Sequence, residues 1–319
     1  MKNAVRDPSS VSAITPFCAA QCLIAIVAFA SNALLCRVAL SGDSIDAATF
    51  SDIRLLAGGA ALLVVGRLRP QSALPPCSDW VSAAALGVFV ILFSFSYVSL
   101  AVSTGALVFS GTVQLALFIA SILTGERFHR LALAGYLLAI IGLLWLIIPG
   151  VAVTGLAGLL TMVGAGVAWA VYTLRGRRVA SALSATTGNF VRAAPIGVVL
   201  GLSLHDHVHA SVTGIMLAVV SGSLTSAIGF VVWCSTIRKL TAMCAAAVQL
   251  LVPPVAALGG VLFLHENAST RLVLSSIAII IGIALTVSVS KSPCRRTDNR
   301  RIAGTRWDRV RKLTCDRQR

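Results

Sequence analysis

The sequence predicts an all-α integral membrane protein with ten transmembrane helices, arranged as two inverted five-helix repeats. Three observations carry this expectation: an apolar composition, an alternation of basic residues between successive loops, and a match of the chain to itself. Of 319 residues, 57% are hydrophobic and 12% are charged, where an ordinary soluble domain is roughly 25% charged. Mean hydropathy is +0.91. These values exclude a disordered chain, a collagen and a disulfide scaffold, and they argue against a soluble enzyme. A bilayer core about 30 Å thick takes about 20 apolar residues per helix. The apolar runs are long and unbroken, unlike the short alternating segments of a membrane β-barrel.

Taken in order, the expected spans are 14–40, 47–65, 80–102, 104–123, 131–148, 154–174, 188–204, 214–237, 242–264 and 272–289. The first follows Lys2 and Arg6, and its 27 residues exceed the apolar stretch of a cleaved signal. The second and seventh each carry an arginine near their start, Arg54 and Arg192. The fourth holds Gln114 in mid-run, and the ninth holds Gln249 and Pro253-Pro254.

The loops test this division independently. Basic residues occur before the first span, in loops two, four, six and eight, and in the tail, 22 in all. Loops one, three, five, seven and nine hold one, Arg271. Such bias puts the basic side in the cytoplasm, so both termini are expected there, with a bacterial inner membrane as the location. The tail 291–319 alone has 11 basic and 3 acidic residues, part of a net charge of +15. Charge confined to a tail and short loops points to anionic lipid as its partner, not nucleic acid.

A shift of 140 residues lays Val27, Ala28, Ala30, Leu34 and Arg37 on Val167, Ala168, Ala170, Leu174 and Arg177. It also lays Leu100, Ala106, Glu126 and Ile141-Gly142 on Leu240, Ala246, Glu266 and Ile281-Gly282. The chain therefore divides into repeats 14–148 and 154–290, followed by the tail. Five spans is an odd number, so the second repeat enters the membrane inverted. Inverted repeats place a small-molecule site near the midplane and give two mirror-related conformations.

Polar side chains at membrane depth are costly unless they meet partners or water, so they are candidates for a substrate path. Asn32 and Tyr172 coincide under the shift, as do Phe29 and Trp169. Gln114 and Gln249 offer amides, and Arg192 offers a guanidinium that suits a carboxylate. Ordinary helix packing and interhelical hydrogen bonds are the competing readings for the first six, and for Arg192 the alternative is snorkelling to the interface or tying helices together. Arg54 is favoured as structural, snorkelling or tying helices together, with a substrate carboxylate as the alternative. Asp52 is the best-placed carboxylate for a proton relay. Pro253 and Pro254 remove two backbone donors and can break the ninth helix beside a cavity, or merely kink it. Glu126 and Glu266 end helices and read as gating or structural. His205, Asp206, His207 and His209 read as a solvated loop, so no metal and no cofactor are expected. Catalytic residues are not expected either: no HExxH, GxSxG or paired carboxylate occurs within a span.

The ordered landmarks resemble the EamA-like transporters of the drug/metabolite transporter superfamily. They are Phe29-Ala30-Ser31-Asn32, Arg54, Gly125-Glu126-Arg127, Ala168-Trp169-Ala170-Val171-Tyr172, Pro253-Pro254 and Leu264-His265-Glu266. Phe29 stands where that family commonly has Trp, and Val113-Gln114 stands where a proline is common. The resemblance implies a ten-helix secondary carrier, often an exporter of amino acids or related metabolites and commonly proton-driven. Import, and an intramembrane enzyme, are the alternatives. A homodimer stays open.

Overall fold

The computed structural model describes residues 16–42, 44–68, 79–100, 102–123, 129–147, 155–203, 209–240, 242–263 and 270–289. All belong to one compact unit, Ile14–Ser290. Glu126, Glu266, His205, Asp206, His207 and the basic tail lie outside these residues.

The described residues are helical. The helices are α1 (Pro16–Ser41), α2 (Ala47–Leu68), α3 (Trp80–Ser99), α4 (Val102–Leu123), α5 (Arg130–Ile147), α6 (Leu156–Gly176) and α7 (Ala182–Ser203), then α8 (Val212–Val220), α9 (Gly229–Ile237), α10 (Ala242–Gln249), α11 (Val252–Phe263) and α12 (Thr270–Val289). A π-helical segment, Ser221–Ile228, joins α8 to α9. Among the described residues, seven stretches are long and apolar enough to cross a membrane: Pro16–Leu40, Ala47–Leu68, Trp80–Ser99, Thr104–Leu123, Leu156–Gly176, Val212–Ile237 and Cys244–Phe263. Arg130–Trp145 and Val273–Thr286 are apolar but shorter.

Two helices differ from expectation. The seventh begins at Ala182, not at 188. Ser181 starts it, with its Oγ accepting from the Ser184 amide at 3.3 Å, and a polar first half (Ser184, Thr186, Thr187, Asn189) hides the start from an apolar reading. Arg192 therefore sits well inside the helix. The ninth stretch is two helices, α10 and α11, separated by Leu250 and Leu251. Pro253 and Pro254 occupy the first turn of α11, where a missing amide is tolerated. The break expected from the proline pair is present.

Loops fix which helix ends share a face. Asp46 caps α2, its Oδ1 accepting from the Thr49 amide at 2.9 Å, while its Oδ2 accepts from the His209 amide at 3.2 Å. Ile45 and Ala210 form an isolated antiparallel bridge. The first and seventh loops thus lie side by side. Asp79 caps α3 and pairs with Arg175 at 2.9 Å, bringing the start of α3 to the end of α6. Arg177 donates to the Leu240 carbonyl at 3.2 Å, adding the end of α9.

The packing repeats itself across the two halves. Helix α3 lies on α6 as α1 lies on α9; α4 lies on α6 as α1 lies on α11; α5 packs on α12, and α2 on α7. Arg37 donates to the Tyr97 carbonyl at 3.0 Å, as Arg177 does to Leu240.

Candidate functional site

Helices α1, α3 and α4 meet α6, α9, α10 and α11 around a narrow cavity. Its wall includes Phe29 and Asn32 of α1, Phe89, Phe93 and Tyr97 of α3, and Phe109 and Gln114 of α4. From the other half come Trp169, Phe230, Gln249 and Val252. The volume of about 30 Å³ holds about two waters. A metabolite needs the rings to move.

The lining is an aromatic box. Trp169 stands 5.2 Å from Phe29, 4.8 Å from Phe89 and 4.8 Å from Phe230, measured between ring centroids. Edge and tilted contacts of this kind suit ring quadrupoles. Three buried polar atoms of the wall have no hydrogen-bond partner: Trp169 Nε1, Tyr97 Oη and Gln249 Oε1. They offer two donors and two acceptors to an occupant.

The residues singled out from sequence separate here. Asn32 and Trp169 line the cavity. Asn32 Oδ1 accepts from Ser221 at 2.7 Å and Thr225 at 3.2 Å, both in the π-helical segment. Gln249 also lines the cavity, at the last position of α10. Gln114 reaches the wall but is engaged: its Nε2 donates to the Ala246 carbonyl at 2.7 Å, and its Oε1 accepts from Tyr136 at 2.9 Å. Tyr172 is fully buried beyond the wall, beside Cys234, Thr186 and Asn189. Arg192 is not brought to the cavity; its guanidinium lies over Trp80, 5.6 Å from the ring centroid. Asp52 is half-buried against Gly197 of α7, its Oδ1 without a partner. Pro253 is buried next to the lining residue Val252.

Arg54 lies beside the cavity wall without lining it. It is fully buried, and its Nε donates to Ser226 Oγ at 2.9 Å. Its Cζ lies 5.6 Å from the ring centroids of both Phe89 and Phe93.

Sequence reasoning did not single out Phe89, Phe93 and Tyr97, although their i, i+4, i+8 spacing puts them on one helix face. Nor did it select Ser221, Thr225 and Ser226, a hydroxyl cluster within an apolar run that is a visible signal of the same kind.

Residues 156–288 match the family described as the EamA-like transporter family. An uncharacterized protein of Pseudomonas aeruginosa is 43% identical over 263 residues, 82% of this chain and 92% of that one. A protein of Streptantibioticus cattleyicolor, named a probable terminal-alkyne amino-acid exporter, is 25% identical over 274 residues, 82% and 91% of the two chains. A solved structure described as "Crystal structure of protein" superposes with a TM-score of 0.69 at 18% identity, covering 84% of this chain and 98% of that one. With helices, cavity and relatives in agreement, the chain belongs to the EamA-like transporter family.

Proposed function

We propose that this protein is a secondary carrier that exports a small metabolite, an amino acid or related compound, by alternating access. Ten spans form two inverted repeats, 14–148 and 154–290. They sit in a bacterial inner membrane with both termini cytoplasmic and the basic tail on anionic lipid. The observation that carries the reading is the cavity whose wall takes residues from both stretches of the chain, with Phe29 and Trp169 in edge contact within it. The Streptantibioticus cattleyicolor protein named a probable terminal-alkyne amino-acid exporter supports the substrate class.

The chemistry of such a site is binding and exclusion. The aromatic box takes the apolar body of the substrate, and Asn32, Tyr97, Trp169 and Gln249 meet its polar groups. Rocking of one half against the other opens the cavity first to one face and then to the other. The loops joined through Asp46 and His209 close one mouth, and those joined through Asp79 and Arg175 close the other. Breaks in the α-helical ladder at 250–251 and at the π-helical segment give the second half places to bend. Asp52, outside the cavity, is the candidate for a coupled proton.

The test is counterflow in proteoliposomes, with a metabolite panel and with or without an imposed proton gradient. Exchange of at least one compound is expected, falling about tenfold or more in Trp169→Ala and less in Tyr172→Ala. Absence of exchange for every compound in either direction overturns the carrier reading. Exchange that is unchanged in Trp169→Ala overturns the site.

A further inference from the structure

We propose that Arg54 is an anion anchor, which receives a carboxylate of the transported compound. The substrate class is then a small carboxylic acid with an apolar body, amino acids included. This rests on the carrier reading above and deepens it.

The argument starts from unused donors. Arg54 Nη1 and Nη2 are buried and have no hydrogen-bond partner. A guanidinium stays charged in any protein environment, and burying it without a counter-charge is costly. The salt bridge among the described residues, Arg175–Asp79, lies at a helix end instead. Arginines that serve as ties in this protein behave differently: Arg37 and Arg177 spend their terminal nitrogens on the backbone carbonyls of Tyr97 and Leu240. Arg54 spends only Nε, on Ser226.

Its surroundings set the guanidinium beside the cavity. The guanidinium lies against Phe89 and Phe93, which are themselves cavity wall. Cation–π contact offsets part of the cost of burial and leaves the two-donor edge unused. That edge matches a carboxylate, which accepts two parallel bonds. Ser226, the partner of Nε, also reaches Asn32 of the wall at 3.5 Å. Rotation of either phenyl ring joins the guanidinium to the cavity. An acid bound there lays its apolar body among Phe29, Trp169 and Phe230, and an α-ammonium group meets Gln249 Oε1.

The experiment uses the full chain in detergent and, separately, in liposomes. The probes are the apolar amino acids, each with its deaminated acid and its amide. Binding is read by tryptophan fluorescence, to which Trp169 contributes, and by the thermal midpoint. Acids are expected to bind and amides not to bind. Arg54→Met weakens acid binding by about tenfold or more, and Arg54→Lys keeps part of it. The ligand-free Arg54→Met protein is expected to unfold no earlier than wild type, because it loses an uncompensated charge; an earlier midpoint marks a structural tie and overturns the proposal. Equal binding of acids and amides, or no binding of any acid, also overturns it. Amides that cross the liposome membrane without any acid binding leave the carrier standing and remove the anchor. Acids that bind but never cross leave the anchor and remove the carrier.

Discussion

The α5–α12 interface and the central cavity both join the two halves, yet they treat the 140-residue correspondence in opposite ways. At the interface it is kept. A Cβ placed on Gly282 would lie 2.8 Å from the Cβ of Ala139 and against the backbone of Gly135. One placed on Gly142 would lie 3.1 Å from the Ser275 carbonyl and 3.2 Å from Ile279 Cγ1. Positions 135 and 139 correspond to 275 and 279, so each glycine makes the other's contact from the opposite side. Around the cavity the pairs have diverged: Phe29 with Trp169, Asn32 with Tyr172, Phe109 with Gln249, and Val113-Gln114 with Pro253-Pro254. Close backbone packing constrains both copies alike. A site that binds one asymmetric molecule does not need two equal walls.

The sharpest way to break this comparison is to add bulk at the interface. Gly282→Leu is expected to prevent the folded state from accumulating, because its side chain would enter the α5 backbone. Even Gly282→Ala is expected to cost about 1–3 kcal/mol through overpacking. Gly142→Ala is expected to cost less, since its nearest neighbours stand slightly farther off. Thermal unfolding of the three variants in one detergent checks the order; an unchanged midpoint in both alanine variants would end the argument for a shared constraint.

The two cavity glutamines sharpen the other side. Gln114→Leu removes an acceptor from Tyr136 and a donor from the Ala246 carbonyl, and such a loss costs about 1–3 kcal/mol when partners are left buried. Gln249 Oε1 has no partner, so Gln249→Leu is expected to leave the thermal midpoint near wild type. Counterflow separates them again: Gln249→Leu raises the substrate concentration needed for half-maximal exchange, while any folded Gln114→Leu protein keeps it.

These contrasts also mark what the sequence could disclose. The apolar runs, the basic loops and Pro253-Pro254 each act over a few neighbouring residues, and helix positions and the break at 250–251 follow from them. Asn32 and Trp169 were legible as cavity residues because the shift singled them out. The surroundings of Arg192 and Arg54 were not legible in the same way. Position along a helix says how deep an arginine lies but not which neighbour it faces: Trp80 for one, Phe89 and Phe93 for the other. The π-helical segment 221–228 carries no local signature either. It places Ser221 and Thr225 against Asn32 and Ser226 against Arg54, an arrangement that depends on α1 and α2, over 150 residues earlier.

The smallest expected effect lies where the first and seventh loops meet. Burial pushes the Asp46 carboxyl up, but hydrogen bonds from the Thr49 and His209 amides outweigh it and hold it below the usual carboxylate range. The folded state therefore favours the charged form. Its stabilising contribution is present above the unfolded value of about 3.9 and is lost as pH falls through the lower folded value. Asp46→Asn keeps an acceptor for the Thr49 amide, since Asn is an equally good helix cap, but it removes the charge together with the acceptor for the His209 amide. Wild type is expected to show faster amide exchange at Asp46 and Ser211 as pH falls below about 4, the usual carboxylate range, after correction for intrinsic rates. Asp46→Asn should give a flat profile over the same interval. A wild-type profile as flat as that of the variant would mean that the carboxylate charge contributes nothing to holding the two loops together.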